Sequence, residues 1–440
     1  MKLSIIKKWL YLACVVLLFL QRSSAQDLLG LEDALRIALQ NNYAIQVAKN
    51  DAEMAKNNNR LGAAGMLPFA TGNAIQDNQT VNTNQEFLNG TSNNVSGAKN
   101  SSLVANVELG WNIFDGFKMF AAKNRLEELQ KAGEYRMRSN IEQTFLRVTK
   151  AYYDIMLMKQ QLRSFQKTAE NTANRLTIAD DKFKAGKAAK TELLRAQVDL
   201  NTDKAALMRQ ENTLRNAKTN LNQLLARDLN TTFEVPDSIS TYNTFKLEEL
   251  LNKTSNQNAN LNVARSNERV SLLSIREIRA ERMPTIQLRS GYNYSRQQSE
   301  AGFLQYAQTN GIHYGAAATI NLFNGFDVSR RLKNAQITLR QNQLIYQDSA
   351  TRIQAAIQQA YNNYVLSTRL LDFEKENVKV ARENFEIADE QYKVGVITSV
   401  ELRDAQENLL ASEIRLFTAQ YDAKLNETEL LRLSGELVKF

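Results

Sequence analysis

The stretch from Gly116 to Phe183 contains no proline and only one internal glycine, Gly133. Because these two residue types disfavour helix interiors most strongly, the stretch is expected to form one helix of roughly 100 Å. From residue 141 onwards, apolar or small side chains recur every 3.5 positions on average, which is the period of a left-handed coiled coil. The residues of this seam are Ile141, Phe145, Val148, Tyr152, Ile155, Met158, Leu162, Phe165, Ala169, Ala173, Leu176, Ala179 and Phe183. The seam is therefore expected to face a partner helix.

The chain contains two copies of one unit. Asn-Ile-Phe-Asp-Gly-Phe at 112–117 recurs as Asn-Leu-Phe-Asn-Gly-Phe at 321–326, and Phe-Lys-Ala-Gly at 183–186 recurs as Tyr-Lys-Val-Gly at 392–395. Both pairs are 209 positions apart, whereas Leu-Glu-Asp-Ala-Leu at 31–35 precedes its counterpart Leu-Glu-Glu-Leu-Leu by 216. Each copy is predicted to contain a helix, a β-hairpin, a very long helix, a turn and a final helix.

The repeat sets the predicted boundaries. The first repeat covers 26–229, with a hairpin at about 67–114, a long helix at 116–183, a tip turn at 184–190 and a helix at 191–226. A linker at 230–246 contains Pro236. The second repeat covers 247–440, with a hairpin at about 284–323, a long helix at 325–392, a tip turn at 393–399 and a helix at 400–433.

Residues 1–25 are typical of a cleaved secretory signal. Three lysines precede the apolar run Trp9–Leu20, and Ser-Ser-Ala at 23–25 forms a small-residue cleavage site. A membrane anchor is the alternative, but these twelve apolar residues are too few to span a bilayer. The single cysteine, Cys14, lies inside the run, so the mature chain would have no disulfide, no catalytic thiolate and no cysteine-based metal site.

The remaining composition argues against an enzyme or a nucleic-acid-binding protein. Without the predicted signal, 51 basic residues face 47 acidic residues, which is not the strongly basic balance of a nucleic-acid-binding domain. His313 is the only histidine, and the sequence has neither a phosphate-binding glycine-rich loop nor a metal-ligand spacing. We therefore predict no catalytic residue, no cofactor and no metal.

The two hairpins show the alternation of membrane strands. Leu103, Val107 and Trp111 fall on one face of an extended segment, with Asn106 and Glu108 on the other. Each alternating run is close to the 9–11 residues of a tilted membrane strand, although a half-buried soluble sheet is an alternative. The polar stretches 76–102 and 296–311 are predicted to be solvated loops between the strands.

Four membrane strands cannot close a barrel, and an open sheet edge is not tolerated in lipid. If these strands lie in a membrane, the protein has to oligomerise. Three chains would supply twelve strands, which is an even number, as in bacterial barrels.

These residues resemble the TolC-like outer membrane efflux protein family over essentially the whole mature chain. The paired motifs at 112–117 and 321–326 and the paired turns at 183–186 and 392–395 carry the resemblance. It implies a mixed α and β membrane fold, in which a homotrimer forms a 12-stranded outer-membrane β-barrel continuous with a periplasmic α-helical barrel. It also implies single helices at about Leu31–Leu61 and Leu247–Arg282, and an equatorial belt from the linker.

The resemblance also implies a gate at the periplasmic tip. Tyr392 matches the gate tyrosine of the family, and Thr191 and Glu192 match its contacts on the other repeat. The family has a gate arginine two residues after the second tip glycine, where this chain has Ile397. The turns that would dock an adaptor are Gly186, Lys187, Ala188, Gly395, Val396 and Ile397.

Two acidic residues fall on an acidic constriction ring of the family. Glu401 and Asp404 lie three positions apart on one helix face, and three copies would favour cations. For Glu401 a capping box with Thr398 is an alternative explanation. Where strand turns into helix, Asp115 and Asn324 are expected to cap the helices, next to Gly116 and Gly325.

The predicted function is a passive exit duct in the outer membrane that extends into the periplasm. Its partners would be a periplasmic adaptor, an inner-membrane transporter and outer-membrane lipid, in a tripartite efflux or type I secretion system. The alternative is a periplasmic adaptor or a structural coiled-coil protein of the cell envelope. The sequence does not identify the cargo.

Overall fold

A computed structural model describes residues 28–237, 239, 243–301 and 304–438, so the predicted signal at 1–25 lies outside the described residues. Within this part of the chain there are eight helices and four strands. The helices are α1 Leu31–Asn41, α2 Tyr43–Asn58, α3 Lys118–Lys184, α4 Lys190–Leu224, α5 Leu247–Gln257, α6 Ala259–Ala280, α7 Asp327–Val394 and α8 Ser399–Ser434. The strands are β1 Phe69–Glu86, β2 Ser92–Phe114, β3 Thr285–Ser299 and β4 Tyr306–Thr319.

The chain divides into two compact units. The helical unit combines the residues up to Ala48 with Ser139–Asn258 and the residues from Ile353 onwards. The sheet unit combines Lys49–Arg138 with Ala259–Arg352. Each unit therefore draws segments from both sequence repeats, and the long helices α3 and α7 contribute residues to both units.

The sheet unit contains one antiparallel sheet with the strand order β1-β2-β3-β4. Trp111 lies opposite Leu288, and Leu288 lies opposite Ala316, so the predicted apolar faces coincide across neighbouring strands. Leu109, Trp111 and Tyr314 expose their large apolar side chains. The mixed α and β class with four strands is confirmed.

The strands are longer than the sequence pattern indicated, and the expectation of long loops at 76–102 and 296–311 is wrong. β1 continues to Glu86 and β2 begins at Ser92, with Gln79 paired to Asn100 and Gln85 paired to Asn93. The second hairpin likewise continues to Ser299 and resumes at Tyr306. Alternating hydrophobicity detects only strands with one apolar face, whereas backbone pairing also holds strands whose two faces are both polar.

Two asparagines divide helices that were expected to be continuous, so the single helices Leu31–Leu61 and Leu247–Arg282 are wrong. Asn42 separates α1 from α2, and Asn258 separates α5 from α6. Both residues are extended, with φ near −60° and ψ of 125° and 120°. The side-chain amides of Asn42 and Asn258 donate to the carbonyls of Leu224 and Leu433, at 2.7 and 3.0 Å. Both breaks thus coincide with hydrogen bonds to distant segments of the chain.

In the sheet unit, strand turns into helix through two consecutive left-handed residues. Gly116 and Phe117 have φ of 70° and 68°, and Gly325 and Phe326 have φ of 61° and 62°. Positive φ at both central positions is the pattern of a type I′ turn. A Cβ on Gly116 would come within 2.6 Å of the carbonyl oxygen of Ala280, so this position requires glycine.

The two turns differ in the side chain that precedes the glycine. Asp115 accepts hydrogen bonds from the Met119 amide at 3.0 and 3.2 Å, the contact expected of a helix cap. At the matching position, Asn324 accepts from the Asp327 amide through its backbone carbonyl at 3.2 Å. No side-chain cap from Asn324 is present among the described residues, although both helices begin three residues after this position, at Lys118 and Asp327.

The described part of the linker is packed into the core of the helical unit. Phe233 and Val235 are buried beside Tyr152, Leu221 and Leu225. Leu28 and Glu234 form a parallel bridge, and the Leu29 amide donates to the Glu234 carbonyl at 2.8 Å. The linker is therefore held by both side-chain packing and backbone pairing.

Among the described helices, none combines the length and the apolar character needed to cross a membrane.

Candidate gate in the helical unit

Both turns between the long helices are built in the same way. The first turn, between α3 and α4, contains Gly186 with φ of 69°, and the second turn, between α7 and α8, contains Gly395 with φ of 84°. The Lys187 amide donates to the Lys182 carbonyl at 2.8 Å, and the Val396 amide donates to the Gln391 carbonyl at 2.9 Å. These six-residue closures are Schellman motifs, for which glycine is the favoured left-handed residue.

Tyr392 joins the second repeat to the first. Its side chain is 1 % exposed, and its hydroxyl donates to Oε1 of Glu192 at 3.3 Å. The Lys182 ammonium lies 4.1 Å from the centre of the Tyr392 ring and donates to the Tyr392 carbonyl at 3.1 Å. Burial, followed by the nearby Glu192 carboxylate, raises the pKa of Tyr392 to about 12. The phenol therefore stays protonated and available as a donor at neutral pH.

An apolar cluster surrounds the Tyr392 ring. Ala388, Leu402 and Ala405 are buried against it, and Ile397 packs on the same cluster. Ile397, where the resemblance led us to expect an arginine, thus contributes an apolar contact. The second turn is thereby fastened by packing as well as by the phenol.

A cavity of about 770 Å³ lies between the two turns. It brings together six of the predicted gate and docking residues, which are Lys187, Thr191, Glu192, Tyr392, Gly395 and Ile397. The other predicted turn residues, Gly186, Ala188 and Val396, lie in the turns themselves, and Val396 is exposed. Most of the sequence-predicted site thus converges on one place.

The two acidic residues of the predicted ring differ in their surroundings. Glu401 completes a capping box, in which its carboxylate accepts from the Thr398 amide at 2.7 Å and its own amide donates to Thr398 Oγ1 at 3.3 Å. These bonds from the backbone and side chain of Thr398 lower the pKa of Glu401. Asp404 is exposed, and no bond to its side chain is present within the described residues. The carboxylate of Asp404 is thus left to solvent.

The sequence analysis missed a buried polar network further along the same helices. Arg403 binds both carboxylate oxygens of Asp203, with distances of 2.6 and 2.9 Å. Thr172 donates to the same carboxylate at 2.6 Å, and Gln406 donates to Thr172 Oγ1 at 2.9 Å. The network therefore links α3, α4 and α8.

A second buried cation lies beside this network. Arg175 has a side chain that is 2 % exposed and donates to Asp199 at 2.5 Å. Its Nε and Nη1 atoms have no hydrogen-bond partner among the described residues. Burial is the main cause that lowers the pKa of Arg175, and the positive charge of Arg403 lowers it further. The carboxylates of Asp199 and Asp203 oppose this shift.

One signal in the sequence could have pointed to this network. The positions equivalent to Asp203 and Arg403 in the other repeat are Ser412 and Leu194. A charge that is present in only one copy has no role in the repeated framework. Both charges therefore lie outside the repeated framework.

Comparisons with known proteins agree with this architecture. The family described as outer membrane efflux protein matches residues 34–227 and 250–436. The outer membrane protein TolC of Vibrio cholerae is 24 % identical over 66 % of this chain and 67 % of its own. The alkaline protease secretion protein AprF of Pseudomonas aeruginosa is 22 % identical over 94 % of this chain and 85 % of its own.

A solved structure shows the same fold at lower identity. The CmeC outer membrane channel of Campylobacter jejuni superposes with a TM-score of 0.76 at 16 % identity, over 92 % of this chain and 86 % of that channel.

Proposed function

Because the chain belongs to the outer membrane efflux protein family, we propose that it forms the exit duct of a tripartite efflux or type I secretion system. The protein resides in the outer membrane and extends into the periplasm. In the proposed function, substrates pass through it passively, after an inner-membrane transporter and a periplasmic adaptor have delivered them. The duct itself carries out no catalytic step and needs no cofactor.

The observation that carries the proposal is the open four-stranded sheet. β1 and β4 are edge strands, and the large side chains of Leu109, Trp111 and Tyr314 are exposed. Unpaired strand edges and an apolar face are incompatible with an isolated chain in lipid, since every backbone polar group there needs a partner. Three copies provide twelve strands and a closed barrel.

The long helix α7 supports the same assembly from the helical unit. Five exposed apolar residues on α7 are spaced at steps of seven, and together they form the α7 stripe. They are Leu366, Phe373, Val380, Ile387 and Val394. A spacing of seven keeps these side chains on one line along a supercoiled helix, where a partner helix can cover them. A neighbouring copy of the chain supplies that helix in the proposed homotrimer.

The gate is assigned to the cluster around Tyr392. Its hydroxyl reaches Glu192 on the first repeat, so moving the second turn away from the first breaks this bond. The two turns with their shared cavity are the proposed docking surface for the adaptor. Three exposed Asp404 carboxylates form the proposed ring that favours cations.

Conductance of the purified full-length protein in a planar bilayer tests this function. We expect small, cation-selective currents from the wild type and weaker cation selectivity from Asp404→Asn. The matched control is Asp372→Asn, which removes another exposed carboxylate of the helical unit. Absence of currents from protein that is shown to be trimeric and inserted would contradict the duct. Equal selectivity in both variants would contradict only the role of Asp404.

A further inference from the structure

We propose that Arg403 and Asp203 form an internal clasp that biases the gate towards its closed form. The clasp holds the second helical hairpin (α7 and α8) against the first helical hairpin (α3 and α4); below, 'hairpin' means these helix pairs. This inference rests on the proposed function, because it concerns the gate of that duct.

The pair has the geometry of a strong ion pair. Nη1 and Nη2 of Arg403 donate to Oδ2 and Oδ1 of Asp203 at 2.6 and 2.9 Å, and the two side chains are only 18 % and 8 % exposed. Nε of Arg403 donates to Glu407 at 2.6 Å. A planar guanidinium that binds both oxygens of a shielded carboxylate fixes orientation as well as distance. Solvent screening, which weakens surface pairs, acts less on this one.

The pair connects the two repeats. Arg403 lies in α8 and Asp203 in α4, 200 positions apart. Gln406, one turn after Arg403, donates to the Thr168 carbonyl and to Thr172 Oγ1, both at 2.9 Å. A movement of α8 away from α3 and α4 therefore has to break the ion pair and these two hydrogen bonds together.

The clasp lies further along the helices than Tyr392 and adds a bidentate ion pair between the two repeats. Glu192 and Asp203 are both in α4, separated by eleven residues or roughly 16 Å along the helix. At the gate itself, one hydrogen bond of 3.3 Å joins Tyr392 to Glu192, and Ile397 occupies the position of the family arginine. The bidentate ion pair between the repeats is thus found further along the helices, at Arg403.

The surroundings of Asp203 predict an asymmetry between the two partners. The buried Arg175 lies close enough to Arg403 for the two cations to repel each other, and Asp203 offsets both. Replacing Asp203 by asparagine leaves two shielded guanidinium groups without their shared anion. Replacing Arg403 by glutamine leaves Asp203 with the Thr172 hydroxyl and the charge of Arg175. Removal of the carboxylate is therefore expected to weaken the closed form more than removal of the guanidinium.

The experiment combines single-channel recording with hydrogen exchange on the purified full-length protein. We expect the open fraction to rise about tenfold in Arg403→Gln and further in Asp203→Asn, because both variants lose the bidentate link between the two repeats. Amide exchange in residues 190–210 and 395–410 should accelerate in the same order. Arg403→Lys, which keeps the charge and loses the bidentate geometry, should fall between the wild type and Arg403→Gln.

The matched control is Arg415→Gln, which breaks an ion pair to Glu374 between α8 and α7 of the same repeat. In this control, the open fraction and the amide exchange rates should both stay at the wild-type level. The double variant Asp203→Asn with Arg403→Gln should show less than the sum of the single effects, since the two residues share one interaction.

The two readouts separate this inference from the function on which it rests. Wild-type currents that are unchanged in both clasp variants overturn the gate role of the clasp and leave the duct in place. Exchange rates that match the wild type in Arg403→Gln and Asp203→Asn overturn the clasp itself, whether or not currents are seen. Absence of wild-type currents together with faster exchange in the variants overturns the duct and retains the contact between the hairpins.

Discussion

Tyr392 and Phe183 occupy equivalent positions in the two repeats, yet Tyr392 is 1 % exposed and Phe183 is 37 % exposed. The buried tyrosine packs against the other repeat of its own chain, next to Glu192 and Lys182. The exposed phenylalanine has no equivalent cover among the described residues of one chain. In the proposed homotrimer, we expect Phe183 to be covered by the second repeat of a neighbouring copy.

Replacing Tyr392 by phenylalanine makes the second repeat resemble the first at this position. The ring and its packing remain, and only the hydrogen bond to Glu192 is lost. One hydrogen bond to a carboxylate at this distance is worth about 1 kcal/mol, so we expect a roughly fivefold rise in the open fraction in single-channel recordings. Tyr346→Phe, which removes a phenol that accepts from Arg265 in the sheet unit, is the control. Identical recordings for all three proteins would contradict the gate role of Tyr392.

A charge placed in the α7 stripe should weaken the trimer. Phe373 is exposed in the single chain, and burying a phenylalanine against a neighbouring copy stabilises the interface by about 2 kcal/mol. We expect Phe373→Glu to lower the temperature at which the trimer dissociates on semi-native gels. Lys375→Gln changes the net charge by the same amount at an exposed position two residues away, and its exposed pair with Asp372 contributes little. A trimer equally stable in both variants would exclude the stripe from the interface.

The long helices, the strands and the internal repeat could be predicted because local or repeated sequence patterns determine them. The missing prolines between Gly116 and Phe183, the doubled motifs and the alternating strand faces each reflect backbone geometry within one element. The same holds for the capping box at Thr398 and Glu401, which involves residues three positions apart. Features of this kind need no knowledge of distant contacts.

The features that the sequence did not reveal depend on residues far apart in the chain. Asn42 and Asn258 interrupt helices without any proline or glycine, and at both breaks the side-chain amide donates to a distant carbonyl, that of Leu224 or Leu433. Arg403 and Asp203 meet across 200 positions, and no local pattern relates them. In the site, the sequence therefore predicted the turns and Tyr392, while the buried charges behind them required coordinates.

Alkaline pH should test the burial of the gate phenol. The pKa of Tyr392 is raised from its ordinary value of 10.0 to about 12, so the folded protein holds this proton more tightly than the unfolded chain. The stability that this contributes is fully present below pH 10.0 and is lost as the pH rises through about 12. The difference in phenolate absorbance between the wild type and Tyr392→Phe should therefore show ionisation near pH 12. Ionisation of this residue near pH 10 would contradict its burial beside Glu192.

Acidic pH should loosen the linker on the helical core. Burial by itself would raise the pKa of Glu234, but hydrogen bonds from Lys218 and Lys159 together lower it. The pKa of Asp237 is lowered mainly by a hydrogen bond from Lys159. Depressed carboxylate pKa values stabilise the fold above the ordinary values of 4.5 and 3.8, and this stability is lost as the pH falls through the lowered values.

The measurement for the linker is the thermal midpoint as a function of pH. Glu234→Gln should lower the midpoint at pH 7 and make it less sensitive to acid, since the titrating group is gone. Glu170→Gln removes a carboxylate from an exposed pair with Lys167 and should leave the acid dependence as in the wild type. A pH profile for Glu234→Gln that parallels the wild type would show that this carboxylate does not hold the linker.

The break at Asn42 allows its two roles to be separated by substitution. The side-chain oxygen of Asn42 accepts from the backbone amides of Ala44 and Ile45 at 3.0 and 3.3 Å and so caps α2. Its side-chain amide nitrogen donates to the Leu224 carbonyl at 2.7 Å. Asn42→Ala removes both roles, and we expect the free energy of unfolding to fall by about 2 kcal/mol. About half of this comes from the lost cap and half from the Leu224 carbonyl, which is left unpaired. Asn42→Asp keeps the cap and replaces the donor by an acceptor that faces the Leu224 carbonyl, so it tests the contact with Leu224.

Equilibrium unfolding in urea gives the free energy for each variant. Asn57→Ala, which removes an exposed acceptor for Arg60 near the end of α2, is the control and should change the stability by less than about 0.5 kcal/mol. If the asparagine acted only as a local cap, Asn42→Asp would be as stable as the wild type. A loss in Asn42→Asp close to that of Asn42→Ala would instead place the main contribution in the contact with Leu224. That contact joins α4 to the start of α2, so this outcome would mean that tertiary packing fixes where the helix breaks.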